Sequence, residues 1–320
     1  MSYLQAVVIA LVQGVTELFP VSSLGHSVLV PAWIGGSWHT LVVQSSSGNS
    51  GASFYLAYIV ALHVATALAL IWFFRADWVR IIRGFCRSVA RTARLRTLSV
   101  TDADERLAWL IVLATIPVGV TGLVLEHAFR TVFAKPVAAA VFLTINGLIL
   151  LAGERSRRRM REPEPVAVAS DGSVAHAART ETDIAEARAA DERIAALPYR
   201  EGLIVGSFQI LALLAGISRA GVTMVGGLWR GLSHEDAARF AFLLATPVIL
   251  AAGVLKLPTL AGSAGSHIHG QLAVGFVLAG IAAYFSIRFL TRYFATRTLT
   301  PFAIYCLLGG VASIVRFTIF

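Results

Sequence analysis

The chain has 320 residues, of which 57% are hydrophobic and only 14% are charged, and its formal net charge at pH 7 is +9. Soluble domains carry roughly 25% charged residues, so this composition, with a mean hydropathy of +0.73, excludes a soluble globular protein. The positive charge does not indicate a nucleic-acid partner, because the arginines crowd beside apolar segments and report membrane topology. Strand-like alternation is absent, so the prediction is an all-α integral membrane protein.

The first apolar stretch contains a carboxylate where a membrane would disfavour one. Glu17 is the only Asp, Glu, Lys or Arg in the first 74 residues, and it runs directly into the Pro-Val-Ser-Ser-Leu-Gly-His sequence at 20–26. Intramembrane ionisable groups are costly to desolvate and usually face a polar cavity or a substrate path, so Glu17 is a candidate site residue. No Lys or Arg precedes this stretch, which argues against a cleaved signal peptide.

Six further apolar segments have the length needed to span a bilayer. They are predicted at about 54–74, 107–125, 136–152, 236–255, 271–290 and 301–318. The Arg-rich loops that follow the first, third and fifth of these spans are predicted to be cytoplasmic, because cytoplasmic loops carry an excess of basic residues. Residues 35–53, with a flexible stretch from Ser45 to Ser53, and the short segment around Lys256 are therefore predicted to lie outside.

Two remaining apolar stretches are broken by Gly, Ser or Pro into limbs too short to span. They cover residues 3–34 and 203–231, and such limbs are typical of re-entrant hairpins whose backbone lines a protein cavity. By the loop assignment the two hairpins enter from opposite faces. A shift of 196 residues aligns Gln13, Leu18, Ser22, Gly25, Trp33 and Gly35 with identical residues in the second stretch. The interpretation is an inverted-topology repeat with a site near the midplane.

The repeat divides the chain into two membrane halves joined by a polar linker. The halves are predicted at 1–152 and 199–320, with a cytoplasmic linker at 153–198 that is dominated by Arg, Ala and Glu. Thr182 to Leu197 has the composition of a helix, but a solvated tether is the preferred interpretation. The two cysteines, Cys86 and Cys306, are too few and too differently placed for a disulfide or metal framework, and they are predicted to be inert.

The second break has the residue types that bind an anion. Arg219 interrupts an apolar run, and its guanidinium can bind phosphate through two hydrogen bonds. Ser218 and Thr223 can donate further hydrogen bonds, and Gly216 and Gly221 allow backbone amides to approach an anion closely. The alternative is that the small residues merely permit close helix packing, which does not account for an arginine among them.

The first break offers a nucleophile and a general acid-base group. His26 can serve in either role, with Ser22 and Ser23 beside it. Glu17 either orients the His26 imidazole or binds a divalent cation, and Gln13 lies on the same helical face four residues earlier. His63 sits in the middle of a span, where interhelical hydrogen bonding is preferred over lining the cavity.

The two motifs resemble those of the undecaprenyl-diphosphate phosphatase family of bacterial membranes, the bacitracin-resistance type, over nearly the whole chain except 153–198. Residues 13–17 resemble its Glu/Gln-x-x-x-Glu motif, and residues 216–223 resemble its Pro-Gly-x-Ser-Arg-Ser-Gly-x-Thr motif. Gln13 stands where many members have Glu, Ala215 replaces the Pro, and Ala220 replaces the second Ser. The first departure weakens the expectation of a metal ligand at position 13, and the last removes one phosphate hydrogen bond.

The resemblance implies six spans with two inverted hairpins and a requirement for Mg²⁺ or Ca²⁺. It also implies that the protein releases phosphate from undecaprenyl diphosphate. This reaction recycles the lipid carrier of cell-wall synthesis and confers bacitracin resistance. The resemblance further implies a bacterial inner-membrane location with the active site towards the outer face. The expected partners are the polyprenyl diphosphate substrate and membrane lipids, with a homodimer left open. The site residues carried over are Glu17, Ser23, His26 and Arg219 as catalytic, Ser22, Ser218, Gly221 and Thr223 as substrate-binding, and Glu17 with Gln13 as metal-binding.

Two other functional classes fit the same architecture. A non-enzymatic transporter of an anionic polyprenyl lipid also uses inverted repeats with a midplane site, and an inactive structural subunit needs no chemistry. The histidine and hydroxyls opposite Arg219 favour hydrolysis, because a carrier needs an anion site but no nucleophile. The sequence leaves open whether His26, Ser23 or water attacks.

Overall fold

A computed structural model describes residues 1–38, 40–41, 54–133, 135–160, 181–261 and 269–319, and within these residues the fold is all-α. The predicted outer loop from Ser45 to Ser53 and the proline-containing start of the linker at 161–165 lie outside the described residues. The helices are α1 (Tyr3–Thr16), α2 (Ser23–Ile34), α3 (Phe54–Phe73), α4 (Arg75–Leu95), α5 (Ala103–Phe133), α6 (Pro136–Met160), α7 (Glu181–Ala195), α8 (Tyr199–Ser207), α9 (Arg219–Trp229), α10 (His234–Ala261), α11 (His269–Thr296) and α12 (Thr300–Ile319).

The predicted spans are confirmed as long apolar helices. Five helices in the described part of the chain (α5, α6, α10, α11 and α12) are long and apolar enough to cross a membrane. At the remaining predicted span, the 20-residue helix α3 continues into α4 after a sharp bend. The helices run past the predicted limits because their polar first and last turns continue the same backbone hydrogen bonding. Cys306 is buried in α12 and Cys86 is exposed on α4, and both are free thiols.

Both predicted hairpins are interrupted helices that pack against the spans. In the first, α1 packs against α11 and α3, and α2 packs against α6. In the second, α8 packs against α5, a 3₁₀ turn follows at Phe208–Leu213, and α9 packs against α6 and α10. Each break therefore lies between spanning helices, where its free backbone groups find protein partners.

The Arg-rich segment after the first span is a helix, although the sequence analysis treated it as a loop. The axes of Tyr58–Phe73 and Arg75–Leu95 meet at 85°. Asp77, Ile81, Gly84 and Ser88 are buried at spacings of three and four residues, so one face of α4 packs against the protein while most of its arginines are exposed. The density of arginines concealed this helical periodicity.

The prediction of a solvated tether at 182–197 is wrong. α7 packs against α5 and α10, with Asp191 and Ile194 almost completely buried. Arg239 of α10 donates two hydrogen bonds to Asp191, from Nε at 2.7 Å and from Nη2 at 3.0 Å, and Arg80 of α4 also pairs with this carboxylate. A buried acid held by two arginines ties α7 to two other helices.

Candidate active site

The breaks of the two hairpins meet in the interior. The Gly216 amide donates to Ser22 Oγ at 3.2 Å, and Ser218 Oγ donates to the Phe19 carbonyl at 3.2 Å. A Cβ added to Gly25 would lie 2.8 Å from the Cα of Gly216, so the two backbones touch where only hydrogen fits. The residues singled out in the two motifs, about 200 positions apart, thus belong to one site.

Asn146 of α6 connects the two breaks, although it belongs to neither of the two sequence motifs. Its amide Nδ2 donates to the Pro20 carbonyl at 3.0 Å, while its Oδ1 accepts from the Ser218 amide at 3.0 Å. Asn146 is fully buried. A single asparagine in a predicted span is a detectable signal, because a buried side-chain amide needs hydrogen-bond partners. Its neighbours in the sequence do not identify those partners.

Glu17 lies at the C-cap of α1 and accepts three hydrogen bonds or ion-pair contacts at its Oε2 atom. Gln13 Nε2 donates at 2.9 Å, the Ser23 hydroxyl donates, and His63 Nε2 of α3 lies at 3.2 Å. His63 Nδ1 lies 2.8 Å from the Ile59 carbonyl, so both ring nitrogens face oxygen acceptors and an imidazolium satisfies both. His63 therefore makes the preferred interhelical contact, and that contact is to Glu17 itself.

Arg219 is the first residue of α9 and faces the same cluster. It is close enough to both Glu17 and His63 to interact electrostatically with them, but its Nη1 atom is buried without a hydrogen-bond partner among the described residues. The direct contacts of the Glu17 carboxylate are made by His63, Ser23 and Gln13, so Arg219 acts on Glu17 through electrostatics. An unpaired guanidinium donor beside a second cation is suited to an anion.

His26 of α2 is buried beside the cluster, with different partners from those expected. Its Nδ1 lies 2.7 Å from the Ser22 carbonyl, and its Nε2 lies 2.8 Å from the Tyr305 hydroxyl of α12. The carbonyl requires a proton on Nδ1, so Nε2 carries the lone pair and accepts from the phenol. Orientation of this imidazole by Glu17 is therefore contradicted, since Ser22 and Tyr305 take that role.

The predicted substrate-binding groups all make bonds within the hairpins. Ser22 and Ser218 are the N-caps of α2 and α9, and each accepts from the amide three residues later at 3.2 Å. The amide of Gly221 is the donor to Ser218, and Thr223 donates to the Arg219 carbonyl at 2.8 Å. These bonds fix the starts of two helices whose positive dipole ends point into the site. Direct contact of these four residues with a phosphate stays a prediction.

The donor set around Glu17 fits a divalent cation only in part. No three His, Cys, Asp or Glu side chains in the described ranges come together as a ready-made metal site. Gln13 Oε1, however, is buried beside the Glu17 carboxylate without a hydrogen-bond partner. One carboxylate and one amide oxygen match the Mg²⁺ preference for one or two protein ligands completed by water and substrate phosphate oxygens.

Three contributors to this site were not assigned to it from the sequence. His63, Asn146 and Tyr305 come from three different spans, and the histidine and asparagine are the polar interruptions of two of them. Polar interruption of a span is a usable signal for a site residue. Tyr305 gives no such signal, because tyrosine is common in apolar helices and half of this side chain is exposed.

Fold and site together define a multi-pass α-helical membrane protein with a buried polar centre between two interrupted hairpins. Residues 6–312 match the family model of bacitracin resistance protein BacA, and the chain belongs to this family. It is 58% identical to undecaprenyl-diphosphatase 2 of Frankia alni, covering 100% of this chain and 99% of the relative. It is 57% identical to undecaprenyl-diphosphatase of Mycolicibacterium paratuberculosis, covering 98% and 97%. The relative in Chromobacterium violaceum is 38% identical, covering 98% of both chains.

Proposed function

We propose that this protein hydrolyses undecaprenyl diphosphate to undecaprenyl phosphate and inorganic phosphate. This reaction recycles the lipid carrier for cell-wall polysaccharide synthesis and confers bacitracin resistance. The observation that carries the proposal is the pairing of a hydroxyl with a carboxylate, Ser23 on Glu17, opposite the unpartnered Nη1 of Arg219. Phosphoryl transfer needs a positioned nucleophile and compensation of charge on the phosphoryl oxygens, and this site contains both. Family membership and the names of the relatives support the same activity.

Ser23 is the attacking group that the geometry supports best. Its hydroxyl proton already points at a carboxylate, which is the arrangement of an activated nucleophile, whereas the lone pair of His26 is occupied by Tyr305. The Ser23 oxygen would bond to the terminal phosphorus while the bridging oxygen leaves with the lipid monophosphate, and Glu17 would take the hydroxyl proton. Water would then cleave the phosphoserine and release phosphate.

Phosphate release by the purified protein tests the activity. We expect wild-type protein in detergent to release phosphate from undecaprenyl diphosphate and Ser23→Ala to release almost none. In protein reconstituted into vesicles, disappearance of substrate from one leaflet without phosphate release would instead indicate the transporter. Acid quenching identifies the nucleophile, because phosphoserine survives acid and phosphohistidine does not. An acid-labile adduct would contradict the assignment of Ser23.

A divalent cation, Mg²⁺ or Ca²⁺, is the proposed cofactor, held by Glu17 with Gln13. When bound, it would neutralise charge on the phosphate oxygens. We expect Glu17→Gln to weaken Mg²⁺ binding measured by calorimetry and to raise the Mg²⁺ concentration needed for half-maximal activity. Gln13→Ala should shift both in the same direction by less. Unchanged binding with lost turnover would show that Glu17 acts on Ser23 alone.

The proposed location is the bacterial plasma membrane, with the site open towards the outer face. Positions at opposite ends of the molecule can report this in a Cys86→Ser background, because Cys306 is buried. Ser37, in the exposed 3₁₀ turn after α2, changed to cysteine should react with an impermeant maleimide on intact cells. Ala189→Cys on the exposed face of α7 should react only after permeabilisation. The reverse pattern would overturn the orientation.

A further inference from the structure

α4 has an orientation that distinguishes it from the spanning helices. It follows α3 after a single residue and turns away from it by 85°. Spanning helices tilt from the bilayer normal by about 20° on average, so a helix nearly perpendicular to one lies close to the membrane plane. With 21 residues it extends for about 31 Å. α4 therefore lies along the membrane surface at the end of α3 where the arginines collect.

One outer face of α4 is apolar and has no protein covering it among the described residues. Val79, Ile82 and Val89 are exposed by 48%, 55% and 41%, and Cys86 is also exposed. These four positions recur at spacings of three and four residues, so they form a single stripe on the helix. The stripe is separate from the face formed by Ile81, Gly84 and Ser88, which packs on the protein. A helix that lies in the membrane plane and carries such an apolar stripe typically buries it at the boundary between lipid headgroups and acyl chains.

A third face of α4 is basic. Arg80, Arg87 and Arg91 are paired with carboxylates, including those of Asp104, Asp102 and Glu105. Arg83 and Arg94 are exposed, and no carboxylate in the described part of the chain pairs with either. Arg83 also lines an open cavity of about 400 Å³ between α4 and α7, together with Arg188 of α7. Asp77, Asp104 and Val79, which lies at the edge of the apolar stripe, line the same cavity. The basic face has unpaired cations to offer to a ligand beside the apolar stripe.

We propose that α4 is a lipid-interface helix that binds the headgroups of anionic phospholipids. The stripe of Val79, Ile82, Cys86 and Val89 enters the acyl boundary, and Arg83 and Arg94 bind the phosphates of the same leaflet. Charge complementarity selects this occupant, because a cluster of basic residues directly after a spanning helix is attracted to an anionic leaflet.

Cys86 itself provides the first test, since Cys306 is buried and only Cys86 is open to a thiol reagent. A nitroxide on Cys86 in protein reconstituted into phosphatidylglycerol vesicles should collide with oxygen and be shielded from a water-soluble nickel chelate. The matched control is a nitroxide at Ala76→Cys in a Cys86→Ser background, because exposed Ala76 lines the cavity on the basic side. It should show the opposite preference. Equal nickel access at both positions would overturn the proposal.

The second test measures headgroup selectivity. A fluorophore on Cys86 should be quenched more by nitroxide-labelled phosphatidylglycerol than by the labelled phosphatidylcholine. A basic residue near an anionic surface is worth about 1 kcal/mol, so Arg83→Gln should reduce this preference about fivefold. Arg316→Gln removes the same charge from an exposed position at the end of α12 and should leave the preference unchanged. No selectivity in the wild type, or equal loss in both variants, would contradict anionic lipid binding.

Discussion

The residues of the site are held by partners from many parts of the chain. His26 is fixed between a backbone carbonyl and the Tyr305 hydroxyl, and Glu17 is fixed by His63, Ser23 and Gln13. Every one of these side chains except Tyr305 is largely removed from solvent. Buried polar groups in a membrane keep a defined geometry because breaking any one bond leaves an unsatisfied group. Preorganisation of this kind favours catalysis over loose binding.

Tyr305→Phe should lower turnover without changing substrate affinity. The ring that stacks on His26 at a centroid distance of 5.7 Å is kept, and only the hydroxyl that bonds Nε2 is lost. A single hydrogen bond is worth about 1 kcal/mol, so kcat should fall about fivefold while KM stays constant. Tyr293→Phe is the control, because its hydroxyl bonds the Thr298 backbone. Equal kinetics for Tyr305→Phe and wild type would exclude a role of the phenol in positioning His26.

Arg219→Lys should lose most turnover, although the charge is kept. The planar guanidinium can direct two donors at a phosphate, whereas the ammonium is a point charge, so the transition state should lose about 2 kcal/mol or more. This corresponds to about a thirtyfold fall in kcat/KM. The control is Arg230→Lys, whose side chain pairs with Glu201 at 2.7 Å instead of facing the site. Near-normal kinetics for Arg219→Lys would remove it from the active site.

At the scale of elements, the site forms where the N-termini of α2 and α9 are in contact. Ser22 caps α2 and also receives the amide of Gly216 from the other hairpin. Its φ of 71° is unusual for a residue other than glycine, which is the strain expected where the surroundings fix a functional turn. The equivalent positions Ser22 and Ser218 both act as N-caps, but Ser218 does so at a φ of −85°, so the two serines share the cap and not the backbone conformation.

Gly216→Ala should disrupt this junction. Gly216 has a φ of +119°, and a Cβ there would lie 2.4 Å from the Ala139 carbonyl oxygen. Both the backbone conformation and the contact exclude a side chain, so the thermal midpoint and the activity should fall together. Gly119→Ala in α5 is the matched control, because a Cβ there meets nothing within 4 Å. It should be neutral or slightly stabilising. Tolerance of alanine at position 216 would contradict the observed close approach.

At the scale of the whole molecule, a second polar network lies away from the site. It holds α7 to α4 and α10 through Asp191, and Arg193 of α7 donates two further hydrogen bonds to Asp236 at 2.7 and 2.8 Å. The hydrogen bonds to Asp236 raise the pKa of Arg193. Glu154 of α6 also links His234 at 2.5 Å to the Leu299 amide at 2.7 Å. These contacts join the two halves of the membrane domain at the end of the molecule that carries the Arg-rich segments.

Asp191→Ala should destabilise the protein and release α7. Arg239, itself buried, would keep the contact to the Asp77 carboxylate at 3.2 Å and its position over the Phe74 ring, but it would lose both hydrogen bonds to Asp191. Loss of one partner from a buried ion pair costs about 3 kcal/mol, so the thermal midpoint should fall and trypsin should cleave faster at Arg188 and Arg193. Arg87→Gln breaks a pair with Asp102 whose side chains are 57% and 45% exposed and a longer contact of 3.8 Å to Glu105, which keeps Arg91 as a partner. It should cost less than about 1 kcal/mol. Comparable stability for both variants would contradict the role of Asp191 in holding α7 against the protein.

The sequence by itself determined the class of protein, the spans and the two breaks. Bilayer thickness sets the length of a span, and the cost of placing charge in a bilayer sets where arginines and isolated residues such as Glu17 and Arg219 occur. Both constraints act on each segment separately, so they can be read from the sequence. The pairing of the two motifs also followed from the repeat. Residues of one hairpin are close in sequence, so the Gln13–Glu17 contact and the caps at Ser22 and Ser218 could be anticipated as local features.

Only the tertiary structure decided which polar groups face each other. His63, Asn146 and Tyr305 join the site from three different spans, and Asp191 and Arg239 meet across 48 positions, because helix packing brings together faces whose sequences carry no record of the partner. α4 and α7 likewise appeared polar along the chain, yet each buries one side against a neighbour. An amphipathic helix needs a surface to pack against, and that surface is formed by helices distant in sequence.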